Sequence, residues 1–172
     1  MEQIRKAVER AKGPGVAQVQ QLDPSMPQHV RPAVGAPGSS QREAKGVALN
    51  GAYLETKRII AHDIADPRSK SFDMLRTQVL QSMDMKSWQF LGITSPTEAC
   101  GKSVISTNLA LSIARQPDRS VLLLDMDLQK PQIASNLGLR CDRGLMSILD
   151  GRTNLQDSLI QAHIRNEKIL VL

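Results

Sequence analysis

Two short stretches of the sequence hold the residues best suited to chemistry. The first ends in Gly101-Lys102-Ser103 and lies between an apolar run and a helical pattern. This tripeptide closes a phosphate-binding loop (P-loop), in which backbone N–H groups and the start of a helix face phosphates. The lysine reaches the β- and γ-phosphates, and the serine hydroxyl binds Mg²⁺. The loop therefore predicts a site for ATP and Mg²⁺ made by Thr97, Glu98, Ala99, Cys100, Gly101, Lys102, Ser103 and Val104.

Three residues depart from the P-loop signature. Pro96 stands where the signature has a glycine, and Glu98 and Ala99 lie within the loop itself. A carboxylate that faces a triphosphate repels it, and an alanine restricts the close backbone approach that glycine allows. A degenerate loop that no longer holds ATP well is therefore the alternative interpretation.

The second stretch is the pair Asp125 and Asp127, which follows the apolar residues 121–124. In an open parallel sheet, ligands bind at the carboxyl ends of the strands, and residues two apart on a strand point the same way. Two carboxylates there suit Mg²⁺ and the activation of an attacking hydroxyl. Ser103, Asp125 and Asp127 are accordingly predicted to hold the metal, and Asp125 and Lys102 to be catalytic. The alternative is that these aspartates only cap the next helix.

The elements that must position these residues follow from apolar spacing. Helical spacing covers residues 72–83, 103–114, 132–137, 145–149 and 154–162, whereas continuous apolar runs at 88–94, 121–124 and 168–172 predict strands. The runs at 88–94 and 121–124 are expected to be buried, the second on both faces as in parallel sheets. The alternation of helices and strands predicts an α/β fold. The fold would be a doubly wound parallel P-loop sheet that is flanked by helices. With three strands, this sheet would be incomplete.

The chain divides into a tail and a domain. Residues 1–12 have the spacing of a short amphipathic helix, and residues 13–65 form a proline- and glycine-rich linker that is expected to be mostly disordered. The domain is predicted to span residues 66–172. Most of the net charge of +5 lies in residues 1–62, so the tail is basic. It is either simply solvated or placed near an acidic partner or a membrane surface.

The composition excludes several classes of protein. Four aromatic residues in 172 argue against stacking on nucleic-acid bases, and no apolar run approaches the ~20 residues that a membrane span needs. Two cysteines make no disulfide framework, and the first residues contain no apolar signal region. We therefore expect a cytoplasmic protein that binds no nucleic acid.

The sequence from about residue 66 onward resembles the catalytic domain of the bacterial tyrosine kinases (BY-kinases) of exopolysaccharide and capsule systems. In that family a P-loop is followed by a second motif, which consists of apolar residues, Asp-x-Asp, a basic residue and proline. The residues of this chain that match the two motifs are Lys102, Ser103, Asp125 and Asp127.

The resemblance implies a tyrosine autokinase that binds ATP and Mg²⁺ and regulates exopolysaccharide biosynthesis or export. It also implies a membrane polysaccharide co-polymerase as the activating partner, and hence a place at the inner face of the cell membrane. Leu75-Arg76-Thr77-Gln78 is similar to the Leu-Arg-Thr-Asn of the family helix that mediates self-association. Here Lys70 and Asp73 replace a glutamate and an arginine, and their spacing permits a pair. The implied contact would use Lys70, Asp73 and Arg76.

Two other functions stay open. Partition ATPases of the MinD/ParA type carry a signature lysine four residues before the loop glycine, where this chain has Thr97, which favours the kinases. A pseudokinase or truncated interaction module is favoured by Glu98 and Ala99, which stand where the family usually has Pro-Gly, and by the lack of a later strand with a Walker-B aspartate. Because the family ends in a tyrosine-rich tail and Tyr53 is the only tyrosine here, the chain is expected to be an N-terminal fragment.

Overall fold

The structure, a computed structural model, describes residues 46–172. The helix predicted for residues 1–12 and the linker up to residue 45 lie outside the described residues. No helix in the described part is long and apolar enough to cross a lipid bilayer. In chain order the elements are β1 (Gly46–Ala48), α1 (Gly51–Thr56), α2 (Ser69–Met85), α3 (Lys102–Ala114), β2 (Leu122–Leu123), α4 (Ile133–Asn136), α5 (Leu145–Leu149), α6 (Leu155–Ser158), β3 (Ile160–Ile164) and β4 (Glu167–Val171).

The four strands form one mixed sheet in the order β1, β3, β4, β2. β1 pairs with β3 and β2 with β4 in parallel, whereas β3 and β4 form an antiparallel hairpin. The α/β class is confirmed, but the prediction of an all-parallel sheet is wrong at this hairpin. Only Arg165 and Asn166 join β3 to β4, and two residues are too few for the crossover that a parallel pair needs. The same hairpin shortens the helix predicted for residues 154–162 to α6.

Helix α3 lies at the centre of the described fold, packed against β2 and β4 and also against α2. Its six consecutive residues from Thr107 to Ser112 are all buried. A helix that is covered on most sides along its middle must be enclosed by the other elements. The helices predicted for residues 72–83 and 103–114 are confirmed as α2 and α3.

The side chain of Asn108 ties the chain before α2 to α3. Its Oδ1 accepts hydrogen bonds from the backbone N–H groups of Ile60 and Ala61 at 2.8 and 2.9 Å. Its Nδ2 donates to the carbonyl oxygens of Arg58 and Val104 at 3.0 and 2.8 Å. Since the side chain is fully buried, these four bonds fix residues 58–61 on the helix.

The linker predicted for residues 13–65 is therefore wrong from residue 46 onward. β1 and α1 lie in this range, and the side chains of Leu54, Ile59 and Ala61 have no exposed surface. The prolines on which the linker prediction rested all precede residue 46. The domain includes residues 46–65 because their apolar side chains, unlike those of a linker, are removed from water.

Residues 88–94, predicted as a buried strand, form no strand. Trp88 and Phe90 are 55% and 91% exposed. In the described chain the segment makes one backbone hydrogen bond, from the N–H of Trp88 to the carbonyl oxygen of Met83, which closes α2. An apolar run becomes a strand only where a neighbour takes its N–H and C=O groups, and no described strand does so here.

Strand β2 is an edge strand that is buried on one face, not on both as predicted. Leu123 is 8% exposed, whereas Leu122 and Leu124 are 50% and 39% exposed. Among the described strands β2 has β4 as its sole neighbour, so its outer edge lacks the cover that a central parallel strand has.

A partly buried ionic cluster holds α2 against α3. The Asp73 carboxylate accepts hydrogen bonds from Arg76 at 3.1 Å, from the Ser112 hydroxyl at 2.7 Å and from Arg115. Burial lowers the pKa of the Arg115 guanidinium, while the Glu167 carboxylate acts in the opposite direction. The cluster therefore concentrates charge in the contact between the two helices rather than on the surface.

This cluster bears on the predicted self-association through α2. Asp73 pairs with Arg76 and not with Lys70, so the Lys70–Asp73 pair that the spacing permits is absent from the described chain. Asp73 and Arg76 face α3. Self-association stays a prediction. Of its three residues only Lys70 is exposed, whereas Asp73 and Arg76 are half-buried.

The Asn108 bonds lead to a stability prediction. Asn108→Ala should lower the free energy of unfolding by about 3 kcal/mol, because it leaves the buried N–H groups of Ile60 and Ala61 without an acceptor. The matched control is Asn166→Ala in the exposed β3–β4 turn, which should change the value by less than about 0.5 kcal/mol. Urea denaturation followed by circular dichroism measures both. Equal effects of the two substitutions would contradict the role given to Asn108.

Candidate functional site

The loop that precedes α3 is shaped by its own short-range bonds. The Ser95 hydroxyl donates to the carbonyl oxygen of Thr97 at 2.7 Å, and the Thr97 hydroxyl lies 2.7 Å from the sulfur of Cys100. Ala99 and Gly101 both adopt positive φ, at 57° and 83°. These turns bring the loop around to the first residue of α3.

The start of α3 is open to a ligand. No side chain caps the helix, so the N–H groups of its first turn lack a side-chain acceptor. A Cβ placed on Gly101 would meet no atom within 4 Å, which shows open space over the loop. Uncapped N–H groups and the helix dipole attract anions, and Lys102 adds a full positive charge as the first helical residue. This arrangement fits the phosphates of a nucleotide.

Ala99 holds a strained backbone conformation within this loop. Its φ of 57° lies in the left-handed region, where an alanine side chain costs about 1 kcal/mol relative to glycine. The loop thus holds an alanine in a conformation that glycine adopts without strain. The departure from the family's glycine at this position therefore has a backbone cost.

Glu98 and Lys130 link the loop to the segment that follows β2. Their carboxylate oxygen and ammonium nitrogen are 3.7 Å apart, and both side chains are largely exposed. Such a pair contributes little to stability, because water and salt screen it. It shows, however, that the two predicted motifs lie side by side. Lys130 is not among the site residues predicted from the sequence, because this contact forms only in the folded chain.

Asp125 acts in the structure as a cap for backbone N–H groups. Its Oδ1 accepts from the N–H of Asp127 at 3.1 Å, and its Oδ2 accepts from those of Gln132 and Ile133 at 2.8 and 2.9 Å. The capping alternative is thus the arrangement seen here. Asp127 is less engaged: its Oδ1 accepts from the N–H of Lys130 at 3.2 Å, and its Oδ2 has no hydrogen-bond partner in the described chain.

A cavity of about 370 Å³ opens beside the two aspartates at the carboxyl ends of β2 and β4. Its lining combines Asp125 and Asp127 with apolar side chains, among them Leu128, Leu145 and Met146. None of the loop residues 97–104 lines it. Leu145 and Met146 are not predictable as site residues from the sequence, because their helix, α5, approaches the aspartates only in the folded chain.

The predicted site residues are brought together in part. Glu98 and Lys130 place the two motifs next to each other, but within residues 46–172 no hydrogen bond or ion pair joins Lys102 to either aspartate. No three His, Cys, Asp or Glu side chains of that range converge as metal ligands. The set Ser103, Asp125 and Asp127 therefore stays a predicted metal site.

The two aspartates should differ in their effect on stability. Asp125→Asn should lower the free energy of unfolding by about 2 kcal/mol, because it removes the charge that accepts three backbone N–H bonds. Asp127→Asn, the matched control, should cost less than about 1 kcal/mol. Urea denaturation of both variants provides the measurement, and a larger loss for Asp127→Asn would show that Asp125 is not the cap.

Comparison with known proteins supplies the context for this geometry. No protein-family model and no solved structure matches the chain. Tyrosine-protein kinase YwqD of Bacillus subtilis (strain 168) is 32% identical over 120 residues, which cover 70% of this chain and 49% of the relative. Tyrosine-protein kinase ptk of Acinetobacter johnsonii is 32% identical over 87 residues, 51% of this chain and 12% of the relative.

A third relative comes from outside the kinases. Antiactivator FleN of Pseudomonas aeruginosa is 36% identical over 80 residues, which cover 46% of this chain and 28% of the relative. The chain spans about half the length or less of the curated relatives it matches. Over the matched part the chain is homologous to proteins named as bacterial tyrosine-protein kinases, which confirms the resemblance that its motifs indicated.

Proposed function

We propose that this chain carries the nucleotide-binding part of a tyrosine autokinase, with ATP and Mg²⁺ at the loop before α3. The observation that carries the proposal is the uncapped start of α3, which places Lys102 directly after the open Gly101 turn. The names of the relatives supply the reaction class, which is phosphoryl transfer to tyrosine. Catalysis of this reaction depends mainly on positioning and on neutralising phosphate charge.

Each residue of the proposed site has a separate task. The first N–H groups of α3 hold the phosphates, and Lys102 neutralises the charge on their β and γ oxygens. The Ser103 hydroxyl and the free Oδ2 of Asp127 are the groups that would hold Mg²⁺, which when bound neutralises the charge that develops on the transferred phosphoryl group.

Asp125 has a different task from the one predicted. Both of its oxygens already accept backbone hydrogen bonds, so taking a proton from a tyrosine hydroxyl would mean giving some of them up. We therefore assign Asp125 to positioning: it fixes the segment that carries Asp127. Asp127 in turn keeps its Oδ2 available for Mg²⁺.

The wider assignments rest on the family. A membrane polysaccharide co-polymerase is proposed as the activating partner, in the cytoplasm at the inner face of the membrane, with regulation of exopolysaccharide export as the outcome. The partition-type ATPase is the second candidate, which similarity to FleN supports and Thr97 at the signature-lysine position opposes. Both candidates use the same nucleotide loop, so the first experiment is nucleotide binding.

Binding of ATP with Mg²⁺ should depend on Lys102. Lys102→Ala should weaken it roughly ten-fold or more, because a charge-assisted contact to phosphate is lost. Lys168→Ala removes an exposed lysine of β4 and should leave binding unchanged. Titration calorimetry measures both variants. Binding that survives Lys102→Ala at full strength would refute the loop as the nucleotide site.

Removal of the Ala99 side chain should strengthen binding. Ala99→Gly should raise the affinity for ATP about five-fold, because glycine lets the loop backbone approach the phosphates more closely than alanine does. Ala65→Gly is the matched control, since Ala65 is exposed and has negative φ. Calorimetry under the same conditions compares them. No gain from Ala99→Gly would show that this turn does not limit binding.

A further inference from the structure

Tyr53, the only tyrosine of the chain, connects α1 to α4. Its hydroxyl donates a hydrogen bond of 2.9 Å to the backbone carbonyl oxygen of Ser135, which is 82 positions away in the sequence. Its ring lies over the turn that follows α4, because a Cβ placed on Gly138 would come within 3.2 Å of two ring carbons. One side chain of α1 therefore contacts both α4 and the glycine turn after it.

Helix α4 is held by a polar group at each end. At its start, the Asp125 carboxylate accepts hydrogen bonds from the N–H groups of Gln132 and Ile133 at 2.8 and 2.9 Å. At its end, the Tyr53 hydroxyl donates to the carbonyl oxygen of Ser135. α4 has only four residues, and a helix of one turn has no stability of its own in water. Ile133 is buried in the core, but apolar packing has no preferred direction, so the two polar contacts fix the orientation of α4.

The position of Asp127 depends on α4. Asp127 belongs to the exposed segment of residues 126–131, which joins Asp125 to α4. In the described chain, the backbone hydrogen bonds of this segment stay within residues 125–130. Its place is therefore set at its two ends, by Asp125 and by α4. A displacement of α4 would move Asp127, whose Oδ2 has no hydrogen-bond partner in the described chain.

We propose that Tyr53 is a positioning residue of the candidate site: it holds α4 in the place where Asp125 caps it, and so keeps Asp127 fixed. Tyr53 acts through α4, because the hydrogen-bond partner of its hydroxyl is the Ser135 carbonyl and not an aspartate. The hold on α4 stands on the contacts of the fold alone. Its consequence for Mg²⁺ rests on the proposed function, in which the free Oδ2 of Asp127 holds the metal.

Hydrogen–deuterium exchange of the full chain, followed at single amides by NMR, tests the hold on α4. Tyr53→Phe removes the hydroxyl and keeps the ring over Gly138. It should speed exchange at the amides of Gln132 and Ile133 about five-fold, because one hydrogen bond that keeps α4 closed is lost. Thr56→Val is the matched control, since it also removes one hydroxyl from α1, but that hydroxyl donates to the carbonyl oxygen of Tyr53 within the helix. Circular dichroism confirms that each variant folds.

A second control separates this local hold from a general loss of stability. Ile169→Val shortens a core side chain of β4 that is 2% exposed, and so destabilises the domain while the Tyr53 hydroxyl stays in place. Faster exchange at Gln132 and Ile133 in Tyr53→Phe alone supports the hold on α4. Equal acceleration in Tyr53→Phe and in either control means that the hydroxyl has no specific hold on α4, and overturns the proposal. No acceleration in Tyr53→Phe overturns it as well.

Titration calorimetry tests the consequence for Mg²⁺. Tyr53→Phe should weaken the binding of ATP with Mg²⁺ about three-fold and leave the binding of ATP in EDTA unchanged, because Tyr53 acts on the segment that carries Asp127 and not on the phosphate loop. In an Asp127→Asn background Tyr53→Phe should cause no further loss. Equal weakening with and without Mg²⁺ would overturn the link to Asp127. If the unsubstituted chain does not bind ATP with Mg²⁺, the proposed function fails, and the exchange experiment still decides whether Tyr53 holds α4.

Discussion

The burial of α3 is the constraint on which the rest of this structure depends. A helix with six consecutive buried residues exists only if other elements enclose it. The sheet, α2 and residues 58–61 provide that cover, the last through the four hydrogen bonds of Asn108. The start of the helix is half-buried and has no side-chain cap. The buried middle of α3 holds the helix in place. Its uncapped first turn therefore presents N–H groups at a fixed position, where an anion can bind.

Positive and negative groups both lie near the start of α3. The helix start and Lys102 attract phosphate, whereas Glu98 and the two aspartates after β2 repel it. Part of this repulsion is offset inside the chain, because Glu98 lies against Lys130 and Asp125 accepts three backbone N–H bonds. The remaining carboxylate, Asp127, has one oxygen without a hydrogen-bond partner in the described chain. In the proposed site, a metal-bound nucleotide would suit this charge balance better than a bare triphosphate would.

Elements whose sequence signal is local could be predicted, whereas elements that depend on distant contacts could not. α2, α3 and α5 were predicted because the spacing of apolar side chains around a helix is a property of the local sequence. Residues 88–94 form a strand only if another strand pairs with them. No described strand does so, and the spacing of apolar residues does not reveal which strands pair. The helix predicted for residues 154–162 overlaps the first three residues of β3, because the antiparallel pairing of β3 with β4 is decided by the two-residue turn between them. The linker prediction fails at residues 58–61 because their hydrogen bonds to Asn108 join positions more than 40 residues apart, which local composition does not reveal.

The candidate site divides in the same way. Motif spacing predicts Lys102, Ser103 and the two aspartates, because the residues of each motif are close together in the sequence. The capping bonds of Asp125, the Glu98–Lys130 pair and the cavity beside α5 depend on how the chain folds back, so spacing could not reveal them.

The central claim is that the open start of α3 binds the phosphates of ATP, and hydrogen–deuterium exchange tests it at the atoms concerned. With ATP and Mg²⁺ at about ten times the dissociation constant, exchange of the amides of residues 102–104 should slow by about ten-fold. Peptides from the exposed β3–β4 turn should be unaffected. Saturating ATP that leaves residues 102–104 unchanged, or that protects only another part of the chain, would contradict the account.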